Sequence, residues 1–353
     1  MRRGHGVLGG RHGRAVARAG LKVSALTTAI LTAAAVLTGC GGPEGPTLTL
    51  YSAQHSDLVQ AWTDGFAKET GIKVAVRRGG DFELANQILA EGTSSPADVF
   101  VTENSPAQSL LSGKGALAPL DAPTRAQVPA RFSSGSGDWV GVAARSTVLV
   151  YNPSLLSSDQ LPKTILELSD PKWQGRIGCA AGGADFQAIA SAVYAVDGDQ
   201  KAGEWLAGLK RNAKIYQNNI ATMKAVNAGE IAAGVIYHYY WFKDRAENGR
   251  DSDKAQLAYF APNDAGAFVS VSGGSVVKSS KHPAEAQRFI AYISGPSGQK
   301  ILTDTLALQY PVGNGVAPNP ALKPFTELQP PAVDPNTLNG PKIIAEMQRV
   351  GLI

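Results

Sequence analysis

Four loops of this chain carry side chains whose types could do chemistry together. A first strand runs into Gln54-His55, a second apolar strand (ADVFVT) into Glu103-Asn104, and a third (GVIY) into His238-Tyr239-Tyr240. The fourth group, Gly182-Gly183-Ala184-Asp185, joins a strand to a helix. Beyond residue 40 the only histidines are His55, His238 and His282. Singly, each has an ordinary explanation: a surface or capping histidine, core aromatics, a helix-start carboxylate favoured by the dipole. Together they put an imidazole, a carboxylate and two phenols at one edge of a fold. Carboxylate and phenolate are hard oxygen donors, suited to a small, highly charged cation such as ferric iron. A phenol with a pKa near ~10 ionises at neutral pH only under a strong Lewis acid or a comparable field. Two phenolates, a carboxylate and a neutral imidazole carry three negative charges, and four such donors leave two positions of an octahedron for water or an anion. Zinc or copper would more usually bring Cys or several His.

Those loops need a scaffold that gathers strand ends, and the hydrophobic pattern supplies one. Thr47–Tyr51 reads as a strand, and Ser56 opens a helix with Leu58, Val59, Trp62 and Phe66 at helical spacing, closed by Gly71. Lys73–Arg77 is the next strand, Asp81 is expected to cap a helix bearing Leu84, Ile88 and Leu89, and Ala97–Thr102 suits a sheet covered on both faces. Further on, Arg176–Ala180 and Gly234–Tyr237 read as strands, and Gln187–Val196, Ala202–Arg211 and Thr222–Ala228 as helices. Such alternation predicts a parallel-rich α/β sheet, in which ligands sit beyond the carboxyl ends of strands. Val140–Tyr151 and Phe268–Val277 are candidate crossings between two lobes, with Gly266, Gly273 and Gly274 easing a bend at the second. The chain is Pro-rich from Pro318 until a helix-like Lys342–Val350. No nucleophile elbow, phosphate loop or H-E-x-x-H run is present, so no enzyme is expected.

Composition narrows the class. The chain has 353 residues, 44% hydrophobic and 18% charged, and a formal charge of +4, but that excess is local. Residues 1–39 hold Arg2, Arg3, Arg11, Arg14, Arg18 and Lys22 with no acid; subtracting those six from 33 leaves 27 Lys and Arg against 29 Asp and Glu. That balance argues against nucleic acid as a partner. The basic stretch precedes an apolar run, Val23 to Leu37, too short for an ordinary spanning helix but suited to a signal peptide. It ends in Leu37-Thr38-Gly39-Cys40, which resembles the lipobox of bacterial lipoproteins; that resemblance implies acylation of Cys40, with 40–46 as a tether. Cys179, the other cysteine, then has no partner and reads as a small buried residue. The expected product is an extracytoplasmic, lipid-anchored, monomeric protein at the bacterial cell membrane, on the cell surface or in the periplasm.

Five stretches resemble the bacterial ferric-ion-binding proteins of ABC importers, in the transferrin-like, two-lobed solute-binding superfamily. They are Tyr51-Ser52-Ala53-Gln54-His55, Ser95-Pro96-Ala97-Asp98-Val99-Phe100, Arg145-Ser146, Pro171-Lys172-Trp173 with Arg176-Ile177-Gly178, and Tyr239-Tyr240-Trp241, in the family's order and at about its spacing. The resemblance implies a two-lobed periplasmic-binding-protein type II fold, with 47–145 and 275–315 as one lobe and 146–274 and 316–353 as the other. It implies His55, Glu103, Tyr239 and Tyr240 as metal ligands, the first pair in one lobe and the tyrosines in the other, so that metal binding closes the cleft. It places a synergistic anion, phosphate or carbonate, or a water, at Asn104, Gly183, Ala184, Asp185 and Asn219. Gly183 stands where the family has a small hydroxyl-bearing residue and Asp185 where it has a small neutral one; Tyr237 and His238 replace amides. A carboxylate at 185 is expected to weaken or replace the exogenous anion, reaching the metal or a bound water itself, unless it turns outward as a plain helix-start residue. The implied function is to bind Fe(III), as free ion or small chelate, and deliver it to a membrane permease. The same fold with another solute (an anion, a polyamine, a thiamine-like molecule or another metal) is the alternative.

Overall fold

The computed structural model of the chain describes residues 47–353; the leader 1–39, Cys40 and the tether 40–46 lie outside the described residues. The chain enters β1 (Thr47–Ser52), passes through α1 (Ser56–Thr70) to β2 (Lys73–Arg78), and through α2 (Asp81–Glu91) to β3 (Val99–Val101). Both β2 and β3 pair parallel with β1. Helices α3 (Ser105–Gly113) and α4 (Ala122–Ala126) lead to β4 (Trp139–Tyr151), a strand of 13 residues buried along its whole length. Then come β5 (Ile177–Cys179), α5 (Ala184–Asn212), β6 (Ala213–Ile215), α6 (Asn219–Asn227), β7 (Ala233–Tyr237), α7 (His238–Glu247) and β8 (Gln256–Ala258). The chain returns through β9 (Val269–Val276), α8 (Pro283–Ser294) and α9 (Pro296–Asp304), and its tail ends in α10 (Gly340–Arg349).

Strand order is β2-β1-β3-β9-β4-β7-β5-β6, with β8 on the edge of β4. The parallel pairs sit at the two ends, and β4 and β9 run antiparallel between them. Trp139–Ser146 of β4 pairs with β9, whereas Thr147–Tyr151 pairs with β7, so one strand serves both lobes. Composition explains the placement: β3 and β7 are apolar throughout and buried throughout, while β2, at an edge, keeps Lys73, Arg77 and Arg78 exposed.

α1 shows how the sequence fixes a helix. Leu58, Val59, Trp62 and Phe66 form its buried stripe, and Gly71 ends it at φ 73 with its N–H on Ala67 O. Burying a Trp or Phe in this way is worth roughly 1.5–3 kcal/mol each.

Three local expectations need correction. Asp81 is not a cap: Gly80 is, and Asp81 is the first helical residue, its carboxylate spent elsewhere. The strand expected over 97–102 pairs only from Val99 to Val101. The two helices expected at 187–196 and 202–211 are present within α5, parted by the non-helical Gly198 at φ 81. Gly273 and Gly274 make no left-handed turn; a Cβ on Gly273 would meet Gln108 Cγ at 2.6 Å, so close packing explains the glycine. Cys179 is buried and free, and burial pushes its thiol up to about 12, as expected of an inert residue.

Candidate metal centre

Each site residue is set by a strand that ends and a helix that begins. After β1, buried Gln54 donates to Ser272 Oγ at 2.9 Å and accepts the His55 N–H at 2.9 Å, which fixes His55 at the start of α1. After β3, the N–H groups of Glu103 and Asn104 both donate to the carboxylate of Asp81, at 2.7 and 2.9 Å. After β7, the first turn of α7 presents Tyr239 and Tyr240. The starts of α5 and α6 bring in Asp185 and Asn219.

These loops meet. His55 Nε2 lies 2.7 Å from Tyr239 Oη and 2.8 Å from Glu103 Oε1. The rings of Tyr239 and Tyr240 pack 4.2 Å apart, inclined by 31°. Tyr240 Oη donates to Asp185 Oδ2 at 3.0 Å. Asp185 also accepts from Asn104 Nδ2 at 2.9 Å and Asn219 Nδ2 at 2.8 Å. It therefore faces the cleft, buried, rather than turning outward from the helix start. Of the other expected residues, Gly183 caps α5 and gives its N–H to Ala180 O, and Ala184 is the first residue of that helix. His238 points away: its Nδ1 accepts the Ser146 N–H at 3.1 Å and its ring lies against Tyr310. The sequence could not separate His238 from its neighbours; a side chain one residue before the pair faces the core instead.

Electrostatics follow from burial. Desolvation, reinforced by the nearby acidic groups, raises the phenols of Tyr239 and Tyr240 well above their ordinary value. Burial and the charge of Glu103 push Asp185 up to about 6 and Asp81 up to about 8. Burial works the same way on Glu103, but the His55 hydrogen bond and the charge of Arg145 outweigh it and hold this carboxyl below the usual range. Burial pushes His238 down to about 3.

Two features went unread in the sequence. Arg145, midway along β4, is fully buried; one nitrogen donates to Gln309 Oε1 at 3.1 Å, while Nε and Nη1 have no hydrogen-bond partner among the described residues. Its guanidinium carbon sits 5.8 and 5.9 Å from the ring centroids of Tyr237 and Tyr239, behind the site. The motif Arg145-Ser146 marked the position but not the role. Asp81 was masked by its helix-start position.

Beside His55, Tyr239 and Tyr240 opens a cavity of about 150 Å³ whose other walls include Asp57, Lys243, Asp244 and Glu247. Lys243 of α7 pairs with Asp57 of α1 across it, 2.5 Å apart, and this pair overrides the burial that would raise Asp57. The pair is half exposed, so its worth is about 0.2–1 kcal/mol. Lys243→Ala is expected to quicken release of a bound ion by about two- to fivefold at low salt, with the gap closing near ~1 M salt, where charges are screened within ~3 Å. Stopped-flow release at the two salt concentrations checks this; an equal gap at both would remove the ion pair as its cause.

Among the described residues no three His, Cys, Asp or Glu side chains group so as to hold a metal ion. A centre here must draw on phenols. The donor set (one imidazole, one carboxylate, two phenols) then fits a trivalent hard cation better than zinc or copper.

Comparison with known proteins agrees in outline. Residues 61–329 match the family described as bacterial extracellular solute-binding protein. The chain is 48% identical over 336 residues to an Fe(3+)-binding periplasmic protein of Serratia marcescens, covering 94% of this chain and 99% of that one. It is 37% identical over 317 residues to the major ferric iron-binding protein of Neisseria meningitidis serogroup B, covering 89% and 93%. Among solved structures, iron-bound HitA from Pseudomonas aeruginosa aligns with a TM-score of 0.82 at 43% identity, over 86% of this chain and 99% of that one. Trichodesmium IdiA (FutA), in complex with iron and citrate ligands, aligns with a TM-score of 0.76 at 31% identity, over 86% and 99%.

Proposed function

Because the chain belongs to the bacterial ferric-ion-binding periplasmic solute-binding proteins, we propose that His55, Glu103, Tyr239 and Tyr240 are the four side chains that hold its iron. Its function is that of an extracytoplasmic ferric-iron-binding receptor of the kind that serves ABC importers, and the family is not catalytic. The observation that carries the ligand assignment is the contact of His55 Nε2 with both Glu103 and Tyr239, with Tyr240 stacked beside them. Three ionisable oxygen donors and one imbedded nitrogen neutralise a trivalent cation. Because the donors come from α1, the loop after β3 and the start of α7, an ion that engages all four holds the two lobes together, and differential affinity for the closed state supplies the signal to a permease.

Asp185 takes the part of the synergistic anion in this reading. Its carboxylate already accepts from Asn104 and Asn219, two donors that would otherwise turn to an exogenous anion, and it lies 3.0 Å from Tyr240 Oη. Phosphate at that spot would sit against a like charge. Ferric affinity of the native chain is therefore expected to be nearly independent of phosphate. In Asp185→Ala it should fall by about tenfold and be restored by phosphate. A native chain that needs phosphate, with the same dependence in Asp185→Ala, would sink this role. The walls of the cavity beside the site carry Asp57, Asp244, Glu247 and Asp251 against a single Lys243, which favours entry of a cation over an anionic chelate.

The lobes are assigned as 47–145 with 275–315 and 146–274 with 316–353, and the chain as a monomer tethered through a lipid on Cys40. Mass spectrometry of the N-terminal peptide from membranes tests the tether: an unmodified Cys40, or a chain still carrying residues 1–39, removes it.

A further inference from the structure

Behind β9, on the side away from the iron cleft, lies a cavity of about 660 Å³ for which the ferric reading has no use. The strand alternates between the two. Ser270 donates to Asn104 Oδ1 at 2.6 Å and Ser272 accepts from Gln54, both toward the cleft, whereas Val269 and Val271 line the cavity. Three aromatic rings stand in its otherwise aliphatic and polar walls, Phe132, Phe268 and Phe325, the first and last meeting edge to face at 5.6 Å. Its outer wall is the stretch from Pro330 to Pro335, the Pro-rich tail that has no other role in the fold's chemistry. That strap is fastened where Asn263 N donates to Gln329 O at 2.9 Å. Both residues hold positive φ, 61° and 44°, two of three non-glycine residues to do so among the described residues. Backbone strain kept at a rim points to a place where shape matters.

One charged group gives the cavity a chemistry. Arg131, exposed at its mouth, lies 4.5 Å over the Phe132 ring and makes no ion pair among the described residues. The one carboxylate in the wall, Asp334, is taken up by Asn336 N and Nδ2 at 2.9 and 2.7 Å. A volume of this size, apolar with a few placed polar groups, is the ordinary form of a small-molecule site.

We propose that this cavity is a second ligand site, for a small aromatic acid whose ring lies among Phe132, Phe268 and Phe325 and whose carboxylate meets Arg131. A planar ring matches these aromatic side chains, and a guanidinium without a counter-ion selects an acid over an amine or a neutral ring. Its occupant presses on the same strand that holds Asn104 through Ser270, one residue from Glu103, so occupancy shifts the closing of the iron cleft. This coupling rests on the ferric reading; the binding itself does not.

The probe is 2-naphthoate, followed by fluorescence anisotropy against the metal-free mature chain, with 2-naphthalenemethanol as the neutral control. One saturable site is expected, weakened about two- to fivefold by Arg131→Gln for the acid and unchanged for the alcohol, since an exposed ion pair is worth about 0.2–1 kcal/mol. Val271→Trp, which fills the cavity, should abolish binding; its circular dichroism must match the native chain. Arg131 is exposed, so Arg131→Gln decides the matter even if the tryptophan variant misfolds. Absence of saturable binding, equal acid affinity in Arg131→Gln, or an alcohol that binds as tightly as the acid would overturn the site. With the site established, saturating 2-naphthoate should change the rate of ferric release by at least about threefold, on the order of 0.7 kcal/mol. An unchanged rate would overturn the coupling alone, and failure of ferric binding itself would show as loss of the metal signal with naphthoate binding intact.

Discussion

The double variant Tyr239→Phe/Tyr240→Phe is expected to lose ferric binding by at least about a thousandfold, roughly 4 kcal/mol at 1.4 kcal/mol per decade. The native chain, titrated with a chelated ferric salt, should show a saturable visible charge-transfer band at one ion per chain, and the variant none. The fold should survive, because the tyrosines' rings pack against each other and against His55, and Phe keeps those contacts. The cost falls on one hydroxyl hydrogen bond each, to His55 and to Asp185. The same chemistry fixes a proton count. Burial holds both phenols neutral in the metal-free protein, so each must surrender its proton when it becomes a ligand. Above the value of about 6 that Asp185 takes, binding should release about two protons, so affinity rises by about two decades per pH unit. Below it the slope steepens, because Asp185 must be emptied as well. A retained band in the double variant, or binding without proton release, would remove the tyrosines from the site.

Arg145→Met should weaken both the fold and the site. The guanidinium is fully buried, and its charge offsets the burial of Glu103 and Asp185, so removing it alone leaves those carboxylates uncompensated. Thermal unfolding of the metal-free variant at neutral pH is therefore expected below the native temperature. Ferric binding should fall as well. The guanidinium lies 5.9 Å from the Tyr239 ring, near enough to favour its phenolate, and at an effective dielectric of 20 a unit charge at that range is worth about 3 kcal/mol, two decades of affinity. Arg145→Lys, which keeps a charge but not the planar fork, should recover part of the loss. Ferric affinity unchanged in Arg145→Met would make Arg145 a packing residue alone.

How much of this was legible beforehand differs from residue to residue. His55, Glu103, Tyr239 and Tyr240, which the structure brings together, could be singled out as candidates because each follows a strand, and strand ends are where an open α/β sheet collects its ligands. The long buried crossings β4 and β9 were equally plain as apolar stretches, although Arg145 to Thr147 interrupts the first and serines punctuate the second. Asp185 was not settled, since a carboxylate at a helix start looks the same in sequence whether it serves the dipole outside or three donors inside. Arg145 was invisible as a functional group because its partner, Gln309, lies 164 residues further on. Asp81 was misread for a related reason: its position before a helix predicts capping, but the N–H groups it accepts belong to Glu103 and Asn104, on another loop. Contacts at that separation are set by topology, which composition and period do not carry.

The sharing of β4 between both sheets has a consequence for how such a protein can be taken apart. Trp139–Ser146 completes one sheet and Thr147–Tyr151 the other, with no spare residue between them. Neither half is a module. A fragment that stops at residue 146 would leave the rest with an open edge at β7, and one that keeps the whole strand would carry five normally buried residues, Thr147–Tyr151, without a neighbour, which invites aggregation. Relatives can therefore exchange lobes only if the two crossing strands travel together, as a matched pair of splice points in the chain.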